Sequence, residues 1–122
     1  MAVVVGSGLA LSSCVTIVDS RAKAQHVTAL AQIENFSRAL LAYREDAKAF
    51  PAESTGLRAL RLAPAHTIGW NGPYVQKDIP LDPWGHPYIY RLKMGVPEVG
   101  SYGADGKPGG EGLDADILAP VI

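Results

Sequence analysis

The sequence predicts an α+β protein: one long N-terminal helix, a short antiparallel strand pair and an acidic C-terminal loop. Three observations carry that expectation. No proline interrupts residues 2–50, and apolar residues recur in its second half at helical intervals. Residues 86–102 alternate in polarity on either side of a Lys93-Met94-Gly95 turn. Residues 101–117 hold five glycines and a proline, too many for a helix or a regular strand. At 122 residues this is one domain at most. A net charge of -1 gives no electrostatic case for nucleic acid, and a single cysteine, Cys14, excludes an intramolecular disulfide.

The chain divides at residue 18. Ala2–Val18 is uncharged, and as a helix it would span roughly 25 Å, the short limit for crossing a bilayer. A cleaved signal peptide is a rival reading, but the basic n-region it needs is missing. Leu11-Ser12-Ser13-Cys14 resembles a bacterial lipobox, which would make Cys14 a lipidated first residue; the plainer reading is a buried or lipid-facing thiol. Val3-Val4-Val5-Gly6-Ser7-Gly8 imitates a dinucleotide fingerprint, yet Leu11 stands where that motif needs Gly or Ala.

Residues 19–122 form the globular part. From Asp19 to about Lys48, Val27, Leu30, Ile33, Phe36, Leu40, Tyr43 and Ala47 draw one apolar stripe. The expectation is a single helix, apolar all round at first and amphipathic later. Its first half has no chain left to pack against and needs lipid or other subunits. Phe50-Pro51 ends it. A short helix is expected over Glu53–Leu62, then a loop through Pro64, Trp70 and Pro73. Asp82-Pro83-Trp84-Gly85 reads as a turn, followed by strands over His86–Leu92 and Val96–Tyr102. Trp84 and Tyr88 are expected to pack on the helix near Phe36 and Leu40, as core rather than as a ligand platform. His26, His66 and His86 are scattered, with no cysteine pair to complete a zinc site, and no serine has a nucleophile setting. No enzyme is indicated.

The C-terminal loop carries Asp105, Glu111, Asp114 and Asp116 against Lys107 alone. Two readings follow. Ca²⁺ takes six to eight oxygens and would neutralise the loop, using carboxylates and carbonyls that flexible backbone turns inward. The other reading is a solvated acidic tail. EF-hand spacing is absent.

One ordered set of residues adds to this. Phe50-Pro51, Gly56-Leu57-Arg58-Ala59-Leu60, Gly72-Pro73-Tyr74, Asp82-Pro83-Trp84-Gly85-His86-Pro87-Tyr88, Ser101-Tyr102-Gly103-Ala104-Asp105-Gly106, Gly109-Gly110-Glu111-Gly112 and Asp114-Ala115-Asp116-Ile117 resemble the major pseudopilins of bacterial type II secretion systems. The match runs from about residue 25 to 117. It implies a pilin-like fold, with the long helix packed on a small antiparallel sheet. It implies subunits that stack into a periplasmic pseudopilus and push exoproteins through the outer membrane. Minor pseudopilins and an inner-membrane assembly platform would be partners. The protein would sit in the inner membrane by a single pass, with its globular domain in the periplasm. The resemblance also implies Ca²⁺ in the acidic loop, with Asp105 as one ligand and Asp114, Asp116 or both near its end. Carbonyls of Tyr102 and Lys107 match the backbone ligand positions, and Gly110 less well.

The N-terminus departs from that pattern. The basic leader, the Phe-Thr-Leu start and the glutamate at mature position five are not visible. The expectation is a chain beginning at an internal Met, or a divergent copy with altered assembly. A second class of function is therefore set beside the filament subunit: a non-polymerising, calcium-stabilised domain, lipid-anchored at Cys14, that binds other secretion components.

Overall fold

The computed structural model describes residues 2–121, with side chains from Ser20 onward apart from Leu113. The apolar segment Ala2–Val18 and the lipidation of Cys14 therefore lie outside the described side chains. Among the described residues, no helix is long and apolar enough to cross a membrane.

Helix α1 runs unbroken from Ala2 to Ala47, a length of about 69 Å at 1.5 Å per residue. It stops where Lys48 turns left-handed, at φ 67°, with its N–H still bonded to the Arg44 carbonyl. Ala29, Ile33, Phe36, Leu40 and Tyr43 form the buried face, spaced three and four residues apart. Val27 and Leu30, expected on that face, are instead 63 % and 38 % exposed. The reason is rotational. Val27 stands two residues from Ala29, roughly 200° around a 3.6-residue helix, so both cannot face one core. Ala29, fully buried, belongs to the covered face.

The expected helix over Glu53–Leu62 contracts to a 3₁₀ turn at Gly56–Leu60. Thr55 supplies no side-chain cap, and Gly56 sits at φ +63°, which no right-handed helix can continue through. Its Leu57, Ala59 and Leu60 are buried in the core. The following loop is tied back by aromatics. Trp70 Nε1–H donates to the Ala59 carbonyl at 2.8 Å, and the Tyr74 hydroxyl donates to Asp46 on α1 at 2.7 Å. Tyr74 also meets Tyr43 and Trp70 edge-on. These rings join loop to helix.

Three strands, β1 (Ile89–Lys93), β2 (Val96–Ser101) and β3 (Ile117–Pro120), form an antiparallel sheet in the order β1-β2-β3. Tyr90 pairs with Val99, and Ser101 with Ile117. The first strand begins at Ile89 rather than His86, because Asp82 engages both backbone groups of His86. The third strand was not expected. Val121, 2 % exposed, follows it into the core and donates its N–H to Pro97 at 2.8 Å.

Tyr88 packs where expected, edge-on to Phe36 with ring centres 5.1 Å apart, and its hydroxyl donates to Gln32. Trp84 does not. It is half-buried several turns nearer the N-terminus, beside Ala22 and His26 of α1 and Gly112, Ala115 and Ile117 of the C-terminal loop.

Burial, reinforced by the charge of Asp82, pushes the Tyr88 hydroxyl up to about 12. Burial raises Tyr90 as well, with Tyr43 and Glu53 adding to it, and its hydroxyl donates to the Pro51 carbonyl at 2.7 Å. Both are acids favoured in their neutral form by folding. The unfolded chain releases these protons near pH 10 and the folded one only above that, so stability falls as pH rises from about 10 towards 12. Alkaline melting curves should show this slope, and Tyr88→Phe should flatten part of it. An unchanged slope in that variant would remove Tyr88 from the account.

Candidate functional site

The acidic loop spans residues 102–116 and joins β2 to β3, so both of its ends are fixed by the Ser101–Ile117 pairing. Gly103, Gly106, Gly109, Gly110 and Gly112 all adopt positive φ. At Gly110 the constraint is twofold, since a Cβ would also lie 2.5 Å from the Asp114 carbonyl oxygen.

Its root is held by a buried carboxylate. Asp82, 4 % exposed, accepts the N–H groups of Trp84 (3.0 Å) and His86 (2.8 Å) on Oδ1. Its Oδ2 accepts the Ser101 hydroxyl at 2.6 Å, and Ser101 Oγ in turn accepts the Gly103 N–H at 3.0 Å. The turn at 82–86 is thereby locked to the first residues of the loop. His86 adds a second hold: Nε2 lies 3.3 Å from the Ala104 carbonyl, and the ring fills the space a Cβ on Gly106 would need. The sequence reading saw only a turn here. The available signal was an aspartate at the first turn position, where its carboxylate can cap following N–H groups.

Of the expected ligands, Asp105 and Lys107 lie on the exposed tip, where Asp105 accepts the Lys107 N–H at 3.0 Å. Asp116 is half-buried at the far end, and both its oxygens accept the Gly109 N–H, at 3.0 and 3.1 Å. Asp114 closes a short 3₁₀ turn, Gly112–Asp114, and is half-buried. Tyr102 is half-buried beside Ser101. Glu111 caps the same turn with its carbonyl, which accepts the Asp114 N–H at 3.0 Å. Among the described residues, no three His, Cys, Asp or Glu side chains are gathered closely enough to hold a metal ion. The donor set nevertheless fits a hard cation, being oxygen throughout. Asp105 and Asp116 each hold a backbone N–H of the same loop, those of Lys107 and Gly109.

A long helix thus lies against a three-stranded antiparallel sheet whose last two strands are joined by an acidic loop. The family described as Type II secretion system (T2SS), protein G matches residues 16–120 of this chain. The chain belongs to that family. Protein G of this secretion system from Pseudomonas aeruginosa is 39 % identical over 123 residues, covering 96 % of this chain and 87 % of its own. The Vibrio cholerae counterpart is 36 % identical over 123 residues, with 96 % and 84 % covered. Among solved structures, the major pseudopilin of the type 2 secretion system of enterohaemorrhagic Escherichia coli superimposes with a TM-score of 0.64. It shares 28 % identity and covers 83 % of this chain and 90 % of its own. The chain thus shares its architecture with a pseudopilin over most of its length.

Proposed function

We propose that this chain is a structural subunit of the type II secretion pseudopilus. Copies stack through α1 into a helical filament that pushes exoproteins towards the outer membrane. The single observation that supports this most is the likeness in fold to a major pseudopilin over 83 % of the chain. The Ala2–Val18 segment anchors the subunit in the inner membrane before assembly, and the globular domain lies in the periplasm. An all-round apolar helix has no stable place in water, so the same segment passes from lipid into a helix bundle. Minor pseudopilins and the inner-membrane platform are the partners this role requires.

Ca²⁺ belongs to this reading as the ion that completes the acidic loop. Asp105, Asp114 and Asp116 would hold it, with carbonyls of Tyr102 and Lys107; its charge would offset carboxylates that otherwise repel one another. The chain's own contribution is the root: Asp82, Ser101 and His86 fix where the loop starts, whatever fills it.

A chain beginning at Ser20 is expected to be soluble, folded and monomeric by size analysis. The full chain in membrane extracts with calcium is expected to give filaments by negative-stain imaging. Filaments from the shortened chain would show that the apolar segment is not the assembly element.

A further inference from the structure

The indole nitrogen of Trp84 is buried, and its N–H finds no acceptor among the described residues. The other indole is paired: Trp70 Nε1–H donates to the Ala59 carbonyl at 2.8 Å. A buried donor without an acceptor destabilises a fold, so native proteins meet such groups with protein atoms or ordered water.

The Trp84 ring also lines a small cavity, about 60 Å³, between α1 and the end of the acidic loop. Ala22 and His26 stand on its helix side, and Gly112 and Asp116 on its loop side. At roughly 30 Å³ for each molecule, the space takes one or two waters and no larger solute. Two side chains in its wall can accept a hydrogen bond. Asp116 is half-buried, and both its oxygens share a single donor, the Gly109 N–H, at 3.0 and 3.1 Å. A carboxylate offers about four acceptor sites, so Asp116 has capacity left. His26 is exposed and meets bulk water. The Gly112 carbonyl already accepts the Ala115 N–H at 3.3 Å. Charge favours the carboxylate.

We propose that a water held in this cavity joins the Trp84 N–H to the Asp116 carboxylate, which makes Trp84 a positioning residue for the far end of the acidic loop. The water accepts from the indole and donates to the carboxylate, so each group keeps the role its chemistry allows. The link gives one turn a hold on both ends of the loop. Asp82 fixes the start through Ser101 and also accepts the backbone N–H of Trp84 at 3.0 Å. Trp84 then carries that anchorage to Asp116, which is otherwise held from within its own loop by Gly109. The consequence for calcium rests on the reading that the loop binds it. Trp84 would orient one ligand from outside, and losing such an outer partner lowers metal affinity by about 10- to 100-fold.

NMR of the full-length protein in detergent micelles, isotope-labelled at the indole nitrogens, tests this. Trp84→Phe assigns the two indole resonances. In the wild type the Trp84 indole proton should show a nuclear Overhauser cross-peak to a long-lived water, and that of Trp70 should show none. Asp116→Asn should shift the Trp84 resonance and leave that of Trp70 in place. Replacing Trp84 with benzothienylalanine keeps the ring shape and removes the N–H. Titration calorimetry with calcium chloride should find that this protein binds at least about tenfold more weakly than wild type. Wild-type affinity in it would overturn the positioning role. Absence of the water cross-peak, or a Trp84 resonance indifferent to Asp116→Asn, would overturn the link whether or not calcium binds. A cross-peak and an Asp116-dependent shift in a wild-type chain that gives no calcium heat would uphold the link and remove the ion. Neither link nor calcium heat would remove both.

Discussion

Asp82→Ala is expected to lower stability by about 3–5 kcal/mol, the largest loss from any single substitution outside the apolar core. The carboxylate accepts two backbone N–H groups and one hydroxyl at 2.6–3.0 Å in a site only 4 % exposed. Hydrogen bonds to a charged acceptor contribute roughly 1.5–3 kcal/mol each, and buried donors left without an acceptor cost about 1–3. The three losses are coupled and will not add in full. For a domain of this size the melting temperature should fall on the order of 15 °C. Asp82→Asn should cost less, because its remaining oxygen can still accept from Trp84 and His86 while the Ser101 hydroxyl loses its acceptor. Thermal melts of both variants decide the matter: an Asp82→Ala chain melting within a few degrees of wild type would mean that the network does not hold the turn.

The second large effect concerns calcium. If the loop holds Ca²⁺ as proposed, free Ca²⁺ at 100-fold above the dissociation constant would add about 2.7 kcal/mol to folding stability by linkage. Asp105→Ala and Asp116→Ala are expected to abolish that rise in melting temperature, to expose the loop to proteases and to stop secretion. Asp116 has a further role here, since its carboxylate already holds the Gly109 N–H. Its loss should therefore loosen the loop even with chelator present, whereas loss of the exposed Asp105 should matter mainly when calcium is supplied. Glu111→Ala should change less than either. Mg²⁺ should substitute poorly, because it demands a tighter octahedron and releases water reluctantly. Calorimetry at millimolar calcium with no heat, together with a melting temperature indifferent to chelator, would falsify the metal reading.

The helix was legible because its signal is redundant: no proline, a three-and-four rhythm, and a stop at Phe50-Pro51. What periodicity could not settle was which of two overlapping stripes the domain would choose. Val27 and Leu30 match Ile33 and Phe36 in apolar character, yet the structure buries Ala29, Ile33 and Phe36 and leaves Val27 and Leu30 exposed. Strand β3 was missed for a similar reason. Its four residues, Ile117-Leu118-Ala119-Pro120, are half-buried or exposed, show no alternation and end in a proline, which an edge strand tolerates. Trp84 lies beside the expected helix but near Ala22 and His26 rather than Phe36 and Leu40, because aromatic bulk argues for burial without saying against which turn. The loop's acids were visible from composition, but the buried Asp82–Ser101 contact joins residues 19 apart. No local pattern announces such a contact.

The position of that loop between neighbouring strands has a consequence for the life of the subunit. Because the chain enters it at Ser101 and leaves it at Ile117, a single cut anywhere within it would turn β3 and Val121 into a separate peptide. That peptide would hold by four register partners and one buried valine. A tethered strand faces its neighbour at an effective concentration in the millimolar range, and a severed one is diluted into the compartment. One nick would thus open a sheet edge and uncover the core behind Val99. Order in the acidic loop would then protect more than the loop, because a closed loop keeps the sheet edge and the core beside it from being opened by one cut.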